Sequence, residues 1–282
     1  MRIPFVVAAL VASASLSAQQ PAVKPFQDSP AASISQNLGI TTVKIDYHRP
    51  AVKGRTIWGS LVPYKEVWRT GANDATTISL TDPARIGDQT LPAGTYSFFA
   101  IPDQENWTLI FNKTAKQWGA YDYKAADDAL RIVVKPRYVG LQEYLSYELN
   151  PIAPDRLRAE LSWEHQAVSF DMTFDVRGIY WAHLQTALAA AKPGEWLPYY
   201  QAGSYCLNND LHLDQALAWA DQSLAAKETP RNLFLKARLL KKTGKGAAGL
   251  PLVQKAIDLA SPDPEAKELL EVMTKAKADW SK

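Results

Sequence analysis

Four cations, Arg49, Lys53, Arg55 and Arg69, fall in one stretch of this 282-residue chain together with Trp58, Tyr64 and Trp68. Asn73 stands just beyond them, and Glu66 is the one acid among them. Guanidinium forks bind carboxylates and phosphates bidentately and stack on aromatic faces, so this group could line a pocket for an anion or a sugar acid. Interspersed Gly54, Gly59, Gly71, Pro50 and Pro63 make the stretch a shaped loop. The same residues could instead serve the fold, with Arg stems and indoles covering a core and Arg49 or Arg69 tying loop carbonyls together. A second aromatic group, Trp118, Tyr121 and Tyr123 around Asp122, could present a flat face to a sugar ring while Asn112 and Lys113 hydrogen-bond its hydroxyls, or could be a buried corner.

Catalytic constellations are weaker. His48 and His165 are the only histidines before residue 177 and the single cysteine, Cys206, lies beyond it, so no metal-ligand spacing and no Cys-based chemistry is indicated there. There is no Gly-x-Ser-x-Gly elbow and no phosphate-binding glycine loop, and no cofactor is implied. A carboxylate pair such as Asp46 with Glu66, Asp74 or Asp122 could serve glycoside hydrolysis. Recognition residues outweigh catalytic ones, which favours a binding protein for a small anionic or carbohydrate ligand. A hydrolase acting on a glycan or envelope polymer is the alternative.

The elements that must position these residues follow from periodicity. Met1 and Arg2 precede a short apolar run to Leu16, followed by small Ser17 and Ala18, the layout of a secretory signal peptide cleaved after Ala18. An exported, periplasmic or secreted protein is expected, with a proline-punctuated linker over residues 19–32 and no span in the mature chain. With one cysteine it cannot close an internal disulfide, so its core must stabilise it unaided. From Ser33 to about 177, apolar residues alternate: Val43, Ile45 and Tyr47; Leu157, Ala159, Leu161 and Trp163; Val168, Phe170, Met172, Phe174 and Val176. Period two predicts half-buried strands, and the denser Tyr96–Ile101 and Trp107–Phe111 predict strands buried on both faces. Leu91–Gly94 and Pro102–Asn106 read as turns joining neighbouring antiparallel strands. Roughly eight to ten short strands without intervening helices predict a β-sandwich or jelly-roll.

Beyond residue 177 the period becomes helical. A connecting helix is expected within 178–195, and over 196–282 Ala202, Ala220 and Pro230 recur about 35 residues later as Ala237, Ala256 and Pro264. That spacing predicts tetratricopeptide-like hairpins closed by a helix from Pro264 to Trp280, too few to stand alone and therefore leaning on the β-domain, where they either bind a protein partner or simply cap it. The fold class is thus α+β in two units. Net charge of +2, with no strongly basic block, argues against nucleic acid as a partner.

One further source of expectation is resemblance. Tyr47-His48-Arg49-Pro50-Ala51-Val52-Lys53-Gly54-Arg55-Thr56-Ile57-Trp58-Gly59 and Val67-Trp68-Arg69-Thr70-Gly71-Ala72-Asn73 resemble the bacterial family known as domain of unknown function 2911. Leu91–Tyr96, Ile110–Lys113 and Trp118–Tyr123 extend that likeness across most of residues 33–176. The resemblance implies an exported β-sandwich-type domain, sometimes followed by tetratricopeptide-like repeats, and brings no catalytic residues with it. His48 stands where the family pattern has Ser, which makes it a poor candidate for a shared catalytic role. Arg55→Ala and Trp68→Ala are expected, on sequence alone, to weaken ligand binding without unfolding the protein.

Overall fold

Val43, Ile45 and Tyr47 are buried and Lys44, Asp46 and His48 turn away from the core, so the alternation in this segment does form a strand with one face inward. The computed structural model describes residues 26–281, and the signal peptide and the first half of the linker expected from the sequence lie outside the described residues. Ten strands follow: β1 (Ala31–Leu38), β2 (Thr41–His48), β3 (Thr77–Leu80), β4 (Ala84–Ile86), β5 (Gln89–Leu91), β6 (Gly94–Ile101), β7 (Trp107–Asn112), β8 (Asp128–Val134), β9 (Arg137–Ala153) and β10 (Arg156–Thr173). They form a six-stranded sheet ordered β1-β2-β3-β6-β7-β8 and a four-stranded sheet ordered β5-β4-β10-β9. Every pairing is antiparallel.

Both sheets feed one hydrophobic core. Phe98 and Phe111 of the larger sheet meet Phe170 of the smaller at ring-centroid distances of 5.7 and 5.4 Å, and Tyr47 meets Tyr147 edge-on at 4.8 Å. β6 and β7 are buried on both faces as expected, because Phe99 and Ile110 on their outer side are covered by Val67, Ala75, Ala120 and Tyr123. The long connections β2–β3 and β7–β8 therefore lie on the outside of this sheet.

Three expectations change. Structure starts at Ala31 rather than Ser33. Leu91–Gly94 is not a hairpin turn but the crossing from β5 in one sheet to β6 in the other, whereas Pro102–Asn106 does join the neighbours β6 and β7. β10 is a single 18-residue strand, not two short ones, and it ends at Thr173, so that Val176, read as its last inward residue, opens the first helix instead. The inward residues of β10 change from odd numbers (Leu157, Ala159, Leu161, Trp163) to even (Val168, Phe170, Met172) beyond Glu164, which has φ +53. A left-handed residue reverses the pleat, so a change of phase that resembles a strand break is accommodated inside one strand.

The same irregularity bends β9. Ser162 pairs with Ser146, Glu164 with Gln142 and Gln166 with Tyr138, so β9 carries extra residues between successive partners. The backbone freed at Glu143–Leu145 pairs instead with the β2–β3 connection: Val52 N donates to Glu143 O at 2.8 Å and Leu145 N to Pro50 O at 3.0 Å. One end of the cationic loop is fixed by that contact.

Helices α1 (Val176–Ala190), α2 (Leu197–Asn209), α3 (Leu213–Ala226), α4 (Pro230–Lys242), α5 (Gly246–Ala260) and α6 (Lys267–Trp280) complete the chain. α2 pairs with α3 and α4 with α5 as hairpins, and α6 closes the array. Their cores are their own: Leu184, Cys206, Trp219 and Leu235 form one cluster, Phe234, Val253 and Met273 another. The β-domain is met through α1, whose Val176 and Ile179 pack on the β core while Tyr180, Trp181 and Leu188 pack on the helices. The helices thus lean on the β-domain through one helical turn rather than along a face. No described helix is long and apolar enough to cross a membrane.

Because a β-branched side chain is strongly disfavoured at positive φ and glycine is not, Glu164→Val should be less stable than Glu164→Gly by about 1–2 kcal/mol in urea denaturation. Equal midpoints would show that the left-handed residue does not set the phase of β10.

Candidate functional site

The β2–β3 connection, residues 49–76, owes its shape to four tryptophans. Trp58 and Trp68 come from the loop, Trp107 from β7 and Trp163 from β10. Trp58 lies 5.5 Å from Trp68, 4.7 Å from Trp107 and 5.9 Å from Trp163, and Trp68 stacks on Trp163 at 5.9 Å with 17° between the planes. Trp68 also exchanges two backbone hydrogen bonds with Ala100, so the loop is stitched to β6 as well. One indole from each sheet and two from the loop close this end of the core. Trp107 and Trp163 are fully buried and Trp58 and Trp68 half-buried; a buried indole removes roughly 150–250 Å² from water, so the cluster helps hold a loop with little secondary structure of its own.

On this base lies a cleft of about 350 Å³, lined by Lys53, Arg55 and Arg69, by Trp68 and Trp163, and by Asp28 at its entrance segment. Three cations face one carboxylate among the described lining residues. Arg69 Nε and Trp163 Nε1 are buried and have no hydrogen-bond partner among the described residues. A buried guanidinium nitrogen without an acceptor is costly, and an anion or a hydroxyl oxygen entering the cleft would relieve that cost. Arg55 spends part of its fork on the loop: Nε donates to Val52 O at 3.0 Å and Nη2 to Ala51 O. Lys53 is exposed, with φ +50, and its backbone N–H donates to Glu143 Oε1 at 2.9 Å.

Of the residues read from the sequence as ligand contacts, Lys53, Arg55, Trp68 and Arg69 share this cleft. The structure moves others out of it. Arg49 Nε donates to Leu145 O at 2.9 Å and its guanidinium lies 5.9 Å from the Tyr144 ring centre, a tie between loop and β9. Trp58 is packed in the tetrad, and Tyr64 folds over Gly59, whose φ of +79 and closeness to that ring leave no room for a side chain. Asn73 reaches back toward Ser29 O at 3.5 Å. Asn112 is fully buried, with Nδ2 donating to Lys124 O and Asp128 Oδ1 and Oδ1 accepting from Thr114 N and Gln117 Nε2; no hydroxyl of a ligand can reach it. Lys113 is exposed and lines neither this cleft nor the one described below.

The second aromatic group also divides. Tyr123 is structural, donating to Asp128 Oδ2 at 2.8 Å and accepting from Arg131, and burial together with the Asp128 carboxylate pushes its phenol up to about 12. Tyr121 is 81 % exposed and Asp122 exposed beside it, apart from both clefts. Trp118, 56 % exposed, stands at a wider cleft of about 730 Å³ with Asp46, His48, Asp74, Lys116 and Gln117. Sequence reasoning missed Trp163 and Asp28 in the first cleft. Trp163 sits in a clean strand alternation that signals only core, and Asp28 in a segment read as linker. The structure also revises the expected effect of Arg55→Ala and Trp68→Ala: both residues hold the loop, so truncation should cost stability as well as affinity.

An antiparallel two-sheet β-domain bearing a loop-borne cationic cleft, extended by helical hairpins, is the class of protein these observations define. Residues 29–172, just over half of the chain, match the family described as protein of unknown function (DUF2911), and the chain belongs to that family. No curated protein and no solved structure matches it.

If Asn112 is a structural hub, Asn112→Ala should lower unfolding free energy by about 1–3 kcal/mol by orphaning buried partners. Tyr121→Ala should stay within about 0.5 kcal/mol. Chemical denaturation of both variants checks this; a ranking the other way round would return Asn112 to the list of ligand contacts.

Proposed function

We propose that the chain is an exported binding protein whose two sheets form a sandwich that takes up a small anion, such as a sugar acid or a phosphorylated compound, in the cleft of Lys53, Arg55 and Arg69. The observation that carries this reading is the pairing of three cations with a buried Arg69 Nε that finds no acceptor among the described residues. Trp68 and Trp163 supply flat apolar wall, against which a ring or a carbon chain can lie while the cations engage its charge. The tetratricopeptide-like hairpins would extend this module toward a protein partner. The hydrolase alternative has less support at this cleft, where Asp28 is the only lining acid among the described residues and a paired-carboxylate mechanism needs two; of the pairs that alternative would use, Asp46 and Asp74 both line the wider cleft instead.

Isothermal titration of the mature chain, Gln19 to Lys282, with inorganic phosphate, citrate and glucuronate tests the reading. At least one anion should bind, more weakly as sodium chloride is raised. Arg69→Gln should weaken it about tenfold or more, since a charge-assisted hydrogen bond contributes roughly 1.5–3 kcal/mol, and Lys53→Gln by less because that side chain is exposed. No heat with any anion, or unchanged affinity in Arg69→Gln, would reject the site. Export is checked separately by N-terminal sequencing of the protein from its native host: a mature terminus at Gln19 agrees with it and an intact Met1 does not.

A further inference from the structure

The wider cleft differs from the cationic one in charge and construction. Its floor is the outer face of the larger sheet, where Ala31 and Ser33 of β1, Asp46 and His48 of β2 and Thr77 of β3 lie side by side. Its wall is the segment Ala115–Trp118, tied to the β2–β3 connection by Ala75 N donating to Gln117 O at 3.0 Å and Gly119 N to Asn73 O at 3.1 Å. Two carboxylates, Asp46 and Asp74, face one lysine, Lys116, and Asp46 is already paired with Lys44 at 2.8 Å. With Lys44 and Lys116 the charges balance, so an anion would need a net attraction that is lacking here. A neutral polyol would not, because its hydroxyls both donate and accept.

Donors and acceptors for such a ligand are both present. Gln117 is more than nine-tenths buried, its Nε2 is fixed by Asn112 Oδ1 and Thr114 O at 3.2 and 2.7 Å, and its Oε1 is left buried without a donor among the described residues. A ligand hydroxyl can supply that donor. Above it, Trp118 exposes more than half of its surface although its backbone is held in an isolated bridge to Asp74. A large indole held more than half in water on a rigid support presents a flat apolar face that suits the axial C–H groups of a pyranose. The volume of about 730 Å³ falls in the range of roughly 300–1,000 Å³ of small-molecule sites.

We propose that this cleft is a second binding site, independent of the cationic one, that takes a neutral mono- or disaccharide stacked on Trp118, with hydroxyls bonded to Asp46, Asp74 and Gln117. The two sites share the segment Gly71–Ala75 as a partition, since Gly71 and Ala72 line the first and Asp74 and Ala75 the second.

Saturation-transfer NMR and calorimetry of the mature protein with cellobiose, maltose and diacetylchitobiose test this. One of these sugars should bind at millimolar concentration or better. Trp118→Ala should weaken it at least about tenfold, as truncation of an aromatic anchor does, and Asp74→Asn by a smaller factor. Trp118→Ala should melt with the wild type, because the indole is largely exposed, and Arg69→Gln should bind the sugar unchanged. Absence of binding by all three sugars, or equal affinity in Trp118→Ala, overturns the proposal. Loss of sugar binding in Arg69→Gln but not in Trp118→Ala would place the sugar in the cationic cleft and overturn it equally.

Discussion

Packing of Trp58, Trp68, Trp107 and Trp163 into one cluster is the constraint on which the β-domain's chemistry depends. A connection of nearly thirty residues with two prolines and three glycines has little backbone pairing to order it, and ordering costs roughly 1–2 kcal/mol per residue in backbone entropy. Indoles contributed by both sheets and by the loop itself offset that cost, aided by the ladder bonds of Trp68 to Ala100 and of Pro50 and Val52 to β9. With the indoles inward, Lys53 and Arg55 are left exposed on the rim and the guanidinium Nε of Arg69 is buried beneath it. Ligand recognition at this end of the domain would thus be a by-product of how the core is closed.

The segment after the tetrad divides the surface in two. Thr70 has φ +50 and donates to Phe98 O, while its own carbonyl accepts from Thr76 and from the buried Tyr147 hydroxyl. Gly71 lies so close to Thr76 and to the His48 backbone that any side chain would clash. Such a pinned ridge separates a cleft with three cations and one acid from one in which Asp46 and Asp74 are balanced by Lys44 and Lys116.

The helical half is built on separate terms. Asn232, buried at the start of α4, closes a capping box with Thr229 and bonds Ser223 and Lys227 of the preceding hairpin, so consecutive hairpins are registered by polar contacts as well as by apolar ones. Burial raises the pKa of Cys206, which marks it as a packing residue rather than a reactive thiol. Contact with the β-domain through the first turn of α1 leaves the outer surfaces of α2 to α6 available.

Much of the architecture was determined by sequence alone. Period-two alternation in Val43–Tyr47 and Leu157–Trp163, the double-sided density of β6 and β7, and the recurrence near 35 residues in the helices are local properties that reflect which face must be buried, and burial is what the chain can encode residue by residue. The concentration of cations and indoles between residues 49 and 73 was legible for the same reason. What only the tertiary structure decided is where each side chain ends. Asn112 and Trp118 are six residues apart and were read as one group, yet one, at the end of β7, is sealed by the β7–β8 connection while the other stands largely in water. Trp163 looked like any inward strand residue, and only the meeting of β10 with the loop brought it to the wall of a cleft. The reason is physical: a cleft is formed by residues distant in sequence, and no local pattern records which of them meet.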